Sequence, residues 1–101
     1  MAIERLVGVN VTDEAGYQAY REGMLPILKQ HGGEFTTDVR VSEVLLAPGN
    51  AKFNRLFTLR FPDEEAMTAF FSNPAYQAVR NQFFNPSVSE ATPLFKYEVL
   101  P

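Results

Sequence analysis

The sequence contains no cysteine and no tryptophan, and it has one histidine among its 101 residues. Without cysteine the chain has no disulfide, no thiolate nucleophile and no zinc-thiolate site. A single histidine is also too few for an ordinary transition-metal centre, which combines several imidazole or thiolate ligands. The sequence therefore predicts neither a metal site nor a bound cofactor.

Basic charge is scarce as well, because nine Lys and Arg face twelve Asp and Glu and the formal net charge is −3. Nucleic acids and anionic membranes bind proteins mainly through clustered Lys and Arg, and here these residues are scattered singly. No apolar run approaches the length that spans a membrane. The N-terminal stretch has an acidic and a basic residue inside its short apolar run, where a signal peptide is uncharged. We expect a cytoplasmic protein with no nucleic-acid partner and no membrane partner.

Aromatic and aliphatic residues are plentiful by contrast: hydrophobic residues make up 46% of the chain, which has nine Phe and four Tyr. That composition is typical of a folded globular protein. A chain of this length closes one core without disulfide or metal support. Residues 1–101 are therefore expected to form a single domain.

Apolar residues recur at every second position in some segments, which predicts strands, and at spacings of three and four residues in others, which predicts helices. Strands are predicted at residues 6–11, 35–41, 56–61 and 94–100. A first helix is expected after Asp13 and ends at Gly32, a candidate for the left-handed residue that stops a helix. Two more helices are expected, after Asp63 and, restarted by an Asn cap and a proline, after Asn73-Pro74.

The two halves of this pattern resemble each other at an offset of 50 residues, since Val9 to Glu14 align with Leu59 to Glu64. A strand-helix-strand unit used twice is the ferredoxin-like pattern. Because both crossovers share a hand, both helices lie on one face of a four-stranded antiparallel sheet. The predicted fold class is thus α+β with the order βαββαβ.

One face of this sheet is left without helices, and its predicted residues mix leucines with charges. The polar members are Asn10, Asp38, Arg40 and Arg60. Such a face suits a second copy packed sheet against sheet, because leucines are shielded while charges find partners. We predict a homodimer through this face, and the alternative is a monomer whose sheet face is solvated.

Two stretches of the chain are similar to the domain of unknown function 1330 family, in the dimeric α+β barrel superfamily that also holds antibiotic-biosynthesis-type monooxygenases. They comprise Val11-Thr12-Asp13, Tyr17, Tyr20 and Gly32-Gly33-Glu34-Phe35 in the first half, and Phe61-Pro62, Glu65-Ala66, Ala69-Phe70, Asn73-Pro74-Ala75-Tyr76-Gln77 and Arg80 in the second. The resemblance implies the fold and the dimer, and the family carries no settled activity. The chain departs from the family pattern at Arg60, where an acid is usual, and at Phe83, where an arginine is usual.

Three residues are candidates for catalysis. His31 is in phase with the apolar side of the first helix, and its other interpretation is a helix-end histidine bonded to a carbonyl. Tyr20 carries a hydroxyl that can orient a carbonyl or phenol. Arg80 follows Tyr76 by one turn and could hold an anionic oxygen, whereas on a solvated helix face it would only form a salt bridge.

The superfamily resemblance implies a small aromatic ligand between the helices and the sheet, where Phe57, Phe70 and Tyr97 are predicted to approach Tyr20. The same cluster is also compatible with an ordinary core. Two functions therefore stay open. The first is a cofactor-independent enzyme that acts on a small aromatic or carbonyl compound by proton abstraction or oxygenation, and the second is a non-catalytic homodimer that binds a small ligand or serves as a scaffold.

Overall fold

The computed structural model describes residues 1–100, in which helices cover one face of a four-stranded antiparallel sheet. Strands β1 (Ile3–Val11), β2 (Glu34–Arg40), β3 (Arg55–Phe61) and β4 (Val88–Glu98) lie in the order β2-β3-β1-β4. Helix α1 (Glu14–Gln30) joins β1 to β2, while α2 (Glu64–Ser72), α3 (Pro74–Val79) and the short α4 (Asn85–Ser87) join β3 to β4. The βαββαβ prediction is confirmed.

The helix starts lie where the sequence places capping side chains. Asp13 accepts a hydrogen bond from the Gly16 backbone N–H, and Asp63 accepts one from the Ala66 N–H. Asn73 caps α3, and Pro74 follows it as the first helical residue. Each cap satisfies backbone donors that have no partner within the helix, which fixes the start of the element.

Helix α1 ends at a glycine pair. Gly32 has a φ of +72°, which favours glycine over residues with a Cβ, and the N–H groups of Gly32 and Gly33 bond to the carbonyls of Lys29 and Leu28. A Cβ on Gly33 would meet Leu28 Cδ1 and lie 2.9 Å from Phe61 Cε1. The predicted left-handed helix stop is confirmed, and Gly33 lets the chain turn against the core.

The core lies between the sheet and the apolar side of α1. Tyr17, Tyr20, Met24 and Leu28 recur at helical spacing and are all buried. The helix continues through Pro26 as one element. Helix α1 has 17 residues, and no helix within residues 1–100 is long and apolar enough to cross a membrane.

Two register shifts change which side chains meet the helices. In β4 the pairing with β1 shifts between Leu6 and Val7, so that Phe95 and Tyr97 lie opposite Leu6 and Glu4 on the helix-free face. The prediction that Tyr97 faces the helices is therefore wrong. A one-residue bulge moves every following side chain to the other face of a strand, and alternation counted along the sequence cannot show it.

Strand β2 has the second shift, between Phe35 and Thr37 in its pairing with β3. Beyond it, Asp38 pairs with Phe57 and Arg40 with Arg55, so both lie on the helix side. Their predicted place on the helix-free face is corrected by this bulge, which leaves Val39 there instead. Asn10 and Arg60 do lie on the helix-free face, opposite Glu90 and Glu4.

Candidate ligand site between the helices and the sheet

A cavity of about 130 Å³ lies between the helix layer and the sheet. Its volume is close to that of an apolar cavity of ~150 Å³ known to take benzene, so it fits a single-ring compound. Most of its wall is apolar, and Tyr20, Tyr76, Arg5 and Arg80 supply the polar groups. The remaining lining residues are Val7, Met24, Phe35, Phe57, Leu59, Phe71, Phe84, Ala91 and Pro93.

A chain of hydrogen bonds runs along the helix side of this cavity. The Arg80 guanidinium donates to the Tyr76 hydroxyl over 3.3 Å, and the hydroxyl oxygens of Tyr76 and Tyr20 are 2.9 Å apart. The two tyrosines share one of their two hydroxyl protons, so the second proton remains free. The pair therefore offers one O–H donor to a ligand oxygen.

Burial keeps the Tyr20 hydroxyl protonated. The pKa of Tyr20 is raised far above its usual range, first because the hydroxyl is desolvated and then because Tyr76 lies beside it. A group with such a raised pKa holds its proton at neutral pH. Tyr20 can donate a hydrogen bond to a bound compound, but it cannot act as the base that removes a proton.

A π-helical turn over residues 80–84 follows α3 and places two lining residues. Arg80 begins the turn and Phe84 ends it, and the guanidinium carbon of Arg80 lies 4.7 Å from the centroid of the Phe84 ring. Turns of this type occur frequently at functional sites. Here the turn brings a cation and an aromatic ring onto the same cavity.

Arg5 reaches the cavity from β1 and was missed by sequence reasoning. Its guanidinium carbon lies 4.9 Å from the centroid of the Phe71 ring. The signal was present, because Arg5 is in phase with Val7 and Val9, whose side chains face the helices. An arginine in such a position interrupts a buried stripe and is informative for that reason.

The predicted site residues divide into those on the cavity wall and those away from it. Tyr20, Phe57 and Arg80 line the cavity. Phe70 is fully buried behind it, with its ring centroid 4.3 Å from that of Tyr76.

His31 is not on the cavity wall. It lies at the C-terminal end of α1, where its ring Nδ1 is 2.9 Å from the carbonyl oxygen of Ile27. Its ring stands edge-on to Phe70 at a centroid distance of 5.9 Å. The structure thus places His31 in the helix-end position, with Phe70 between it and Tyr76.

Tyr97 belongs to a polar row across the helix-free face. Its hydroxyl donates to a carboxylate oxygen of Glu4 over 2.6 Å, and Arg60 Nε donates to the other over 2.7 Å. Burial alone would raise the pKa of Glu4, but the hydrogen bonds from Tyr97 and Arg60 outweigh it and hold that pKa below its ordinary value.

A second ionic cluster joins α1 to the β2 edge of the sheet. Asp38 accepts two hydrogen bonds from Arg55, at 2.9 and 3.1 Å, and one from Arg21 at 2.6 Å. Burial alone would raise the pKa of Asp38, and these bonds hold it below its usual range. Asp38 therefore anchors β2 and β3 to the helix layer.

No group of three or more His, Cys, Asp or Glu side chains in residues 1–100 converges in a way that could hold a metal ion. The cavity volume also suits one ring rather than a multi-ring cofactor. What the site can do is surround a small apolar body and donate hydrogen bonds to an oxygen at one side of it.

The tyrosine pair predicts an asymmetry in stability. Tyr76→Phe removes the partner of the Tyr20 hydroxyl and should lower the free energy of unfolding by about 1–3 kcal/mol, because a buried hydroxyl is left unpaired. Tyr20→Phe leaves Tyr76 with its bond from Arg80 and should cost about 1 kcal/mol or less. Urea denaturation of both variants measures the difference, and a Tyr20→Phe cost equal to or above that of Tyr76→Phe would contradict it.

The Glu4 row predicts a dependence of stability on pH. Because the pKa of Glu4 is lower in the folded chain, its contribution is present above the ordinary glutamate pKa of about 4.3 and is lost as the pH falls through the folded value. Glu4→Gln should lower the free energy of unfolding at pH 7 and reduce the loss of stability in acid. Some of that loss should remain in the variant, because the pKa of Asp38 is also lowered in the folded chain. Melting temperatures measured from pH 7 to pH 3 test this prediction. Glu65→Gln, which removes an exposed carboxyl, is the control. An equal fall in melting temperature with pH in the parent and in Glu4→Gln would refute the prediction.

Solved structures share this fold at low sequence identity. A protein of unknown function from Rhodopseudomonas palustris superposes with a TM-score of 0.78 at 16% identity, over 99% of this chain and 83% of that one. A dimeric ferredoxin-like protein of unknown function from Jannaschia gives 0.60 at 15% identity, over 98% and 100%. SnoaB, a cofactor-independent oxygenase from Streptomyces nogalater, gives 0.65 at 11% identity, over 99% and 94%.

Sequence comparison gives the family. No curated protein has a sequence significantly similar to this chain. The profile of the family described as "Domain of unknown function (DUF1330)" matches residues 5–87, which include most of β1 and all of α1, β2, β3 and the helices that follow. The match therefore covers most of the chain and includes the residues of the tyrosine pair. The chain belongs to the DUF1330 family.

Proposed function

We propose that this protein is a cofactor-independent enzyme that binds a small aromatic or carbonyl compound in the helix–sheet cavity and stabilises its enolate or phenolate anion. The observation that carries the proposal is the chain of donors from Arg80 through Tyr76 to Tyr20 on the wall of an otherwise apolar cavity. Donors aimed at one place in a desolvated site stabilise developing negative charge on an oxygen.

The cavity wall supports a definite orientation for such a compound. Phe57 from the sheet and Phe84 from the π turn offer ring faces or edges to an aromatic body. The free O–H of the tyrosine pair and the N–H groups of Arg80 then lie on the helix side, where they bond to a carbonyl, enol or phenol oxygen. The ring is bound by burial and the oxygen is selected by donors.

Anion stabilisation is sufficient for two kinds of chemistry without a cofactor. A compound whose enol or phenol pKa is lowered beside Arg80 loses its proton to water and regains it at another atom, which is a proton transfer. The same anion can reduce dioxygen and be oxygenated. The description of SnoaB as a cofactor-independent oxygenase supports the second course for a protein of this fold.

A non-catalytic binding protein is the second candidate, and one observation favours it. The polar side chains that line the cavity belong to two arginines and two tyrosines, and no carboxylate or imidazole is among them. None of them is a general base. His31, the only imidazole of the sequence, lies outside the lining. A compound that does not ionise readily would therefore bind without reacting.

We also propose that the protein is a homodimer joined through its helix-free face. Three apolar or aromatic residues of this face are exposed in one chain: Val39 at 44%, Phe95 at 66% and Tyr97 at 42%. Leu45 and Leu46, in the loop between β2 and β3, are 87% and 93% exposed. Apolar side chains so exposed on one sheet favour a protein interface, and the description of several structural relatives as dimeric supports a second copy as the partner.

The enzymatic proposal predicts turnover that depends on the tyrosine pair. Single-ring phenols, quinones and aromatic acids, incubated with the protein in air, should include a compound that is consumed. The double variant Tyr20→Phe/Tyr76→Phe should lower kcat for that compound by about 100-fold, the scale of a lost oxyanion donor, because either single replacement leaves one tyrosine O–H free.

His31→Ala should leave kcat within about twofold, because the residue is not on the cavity wall. Substrate loss and oxygen uptake are the measurements. Compounds that raise the melting temperature without being consumed would establish the binding protein instead, and no effect of the double replacement on turnover would contradict the role of the pair.

The dimer proposal predicts a mass of twice 11.4 kDa by light scattering at micromolar concentration. Phe95→Lys puts a charge on the helix-free face and should shift the protein to one chain mass while its circular dichroism spectrum is retained. Leu25→Lys, a change of the same type on the exposed side of α1, should leave the dimer intact. A parent protein with the mass of one chain would refute the dimer.

A further inference from the structure

Two of the six arginines have no carboxylate partner. Arg21, Arg40, Arg55 and Arg60 each form at least one ion pair, with Asp38, Glu14 or Glu4. Arg5 and Arg80 form none within residues 1–100. These two are also the arginines that line the helix–sheet cavity. The arginines that form no ion pair are thus found together at one place in an acidic protein.

The surroundings of both guanidinium groups are partly desolvated. Each residue is half-buried, and each guanidinium lies against an aromatic ring, Phe71 for Arg5 and Phe84 for Arg80. A cation at such a place is unfavourable unless an anion or several acceptors lie beside it. Ring contacts offset part of this cost but accept no conventional hydrogen bond.

Most of the hydrogen-bonding capacity of these arginines is unused. A guanidinium has five N–H donors arranged to bind both oxygens of a carboxylate. Arg80 spends one N–H on Tyr76, and the Arg5 side chain has no hydrogen bond within the described residues. The free donors face a space that a ligand can enter.

Arg5 stands where the cavity opens. Besides the cavity itself, it lines two shallow surface depressions, one beside α2 and one beside β4. Ala91 and Pro93 on the same wall are exposed, so the opening runs along β4. A charged group on a bound ring would therefore lie at Arg5 near solvent, with the ring directed inward.

We infer that the ligand of this cavity is a single-ring aromatic acid whose carboxylate is bound by Arg5, with Arg80 adding a second positive charge. This inference rests on the proposed function, because it names the class of compound that the same cavity takes. The ring fills the apolar part, and the free tyrosine O–H donates to a hydroxyl or carbonyl substituent. Arg5 is then the residue that determines selection of acids over neutral rings.

Binding of benzoate and of its neutral isostere benzamide, followed by isothermal titration calorimetry, tests the inference. Benzoate should bind the parent protein about tenfold or more tightly than benzamide, since a charge-assisted bond is involved. Added sodium chloride should weaken the binding of benzoate and leave the binding of benzamide unchanged. Arg5→Met should reduce benzoate affinity to the level of benzamide, and Lys29→Met, which removes one positive charge from the exposed side of α1, should change neither.

Benzamide binding by Arg5→Met shows that the cavity of the variant is intact, which separates loss of charge recognition from loss of fold. Equal affinities of benzoate and benzamide for the parent protein would overturn selection of acids while leaving the aromatic cavity of the proposed function in place. An unchanged preference for benzoate in Arg5→Met would overturn the role of Arg5. Absence of binding by both compounds would overturn the inference together with the aromatic cavity.

Discussion

The hydrogen bond between the hydroxyls of Tyr20 and Tyr76 joins the two parts of the helix layer, α1 and α3, at a buried point. Both tyrosines are buried, and Tyr76 is the hydrogen-bond partner of the Tyr20 hydroxyl, so the bond links the two helices. Phe84 packs on Tyr20 at a centroid distance of 4.8 Å and extends the contact to the π turn. The cavity lies between this helix layer and the sheet. Tyr20 and Tyr76, whose hydroxyls join the two helices, also form part of its polar side.

The arginines of the molecule divide into those that pair with a carboxylate and those that do not. Where arginines serve the fold, as Arg55 does at Asp38 and Arg60 at Glu4, a carboxylate lies within hydrogen-bonding distance. Arg5 and Arg80 are the exceptions, and they lie at the cavity. A protein with net charge −3 has carboxylates to spare for these two. They lie beside aromatic rings and form no ion pair within residues 1–100.

The helix-free face has a different character. A polar row formed by Arg60, Glu4 and Tyr97 crosses three strands in register at one end of it. Exposed apolar residues, Val39 and Phe95, lie further along the same face. In the proposed dimer, a second copy packed there would shield the apolar residues and leave the polar row paired within its own chain.

Local patterns predicted the elements because they act over a few residues: Asp13, Asp63 and Asn73 cap the helices, and Gly32 stops the first one. The placement of the helices on one face of the sheet followed from the handedness of crossovers, which holds for any chain with this sequence of elements. Tyr20 and Phe57 were found as wall residues because their spacing placed Tyr20 toward the sheet and Phe57 toward the helices. Arg80 was found because it follows Tyr76 by one turn and is shared with the family pattern. Tyr97 and Asp38 were misplaced because a bulge reverses alternation for every residue beyond it.

What the sequence alone determined was therefore the βαββαβ fold, the positions of the caps and the side of α1 that is buried. The tertiary structure decided which polar residues meet. The Tyr20–Tyr76 bond spans 56 positions, and the isolation of Arg5 and Arg80 from carboxylates depends on the placement of every acid in the described chain. Such relations are set by strand register and helix spacing, which depend on long-range packing and leave no local pattern in the sequence.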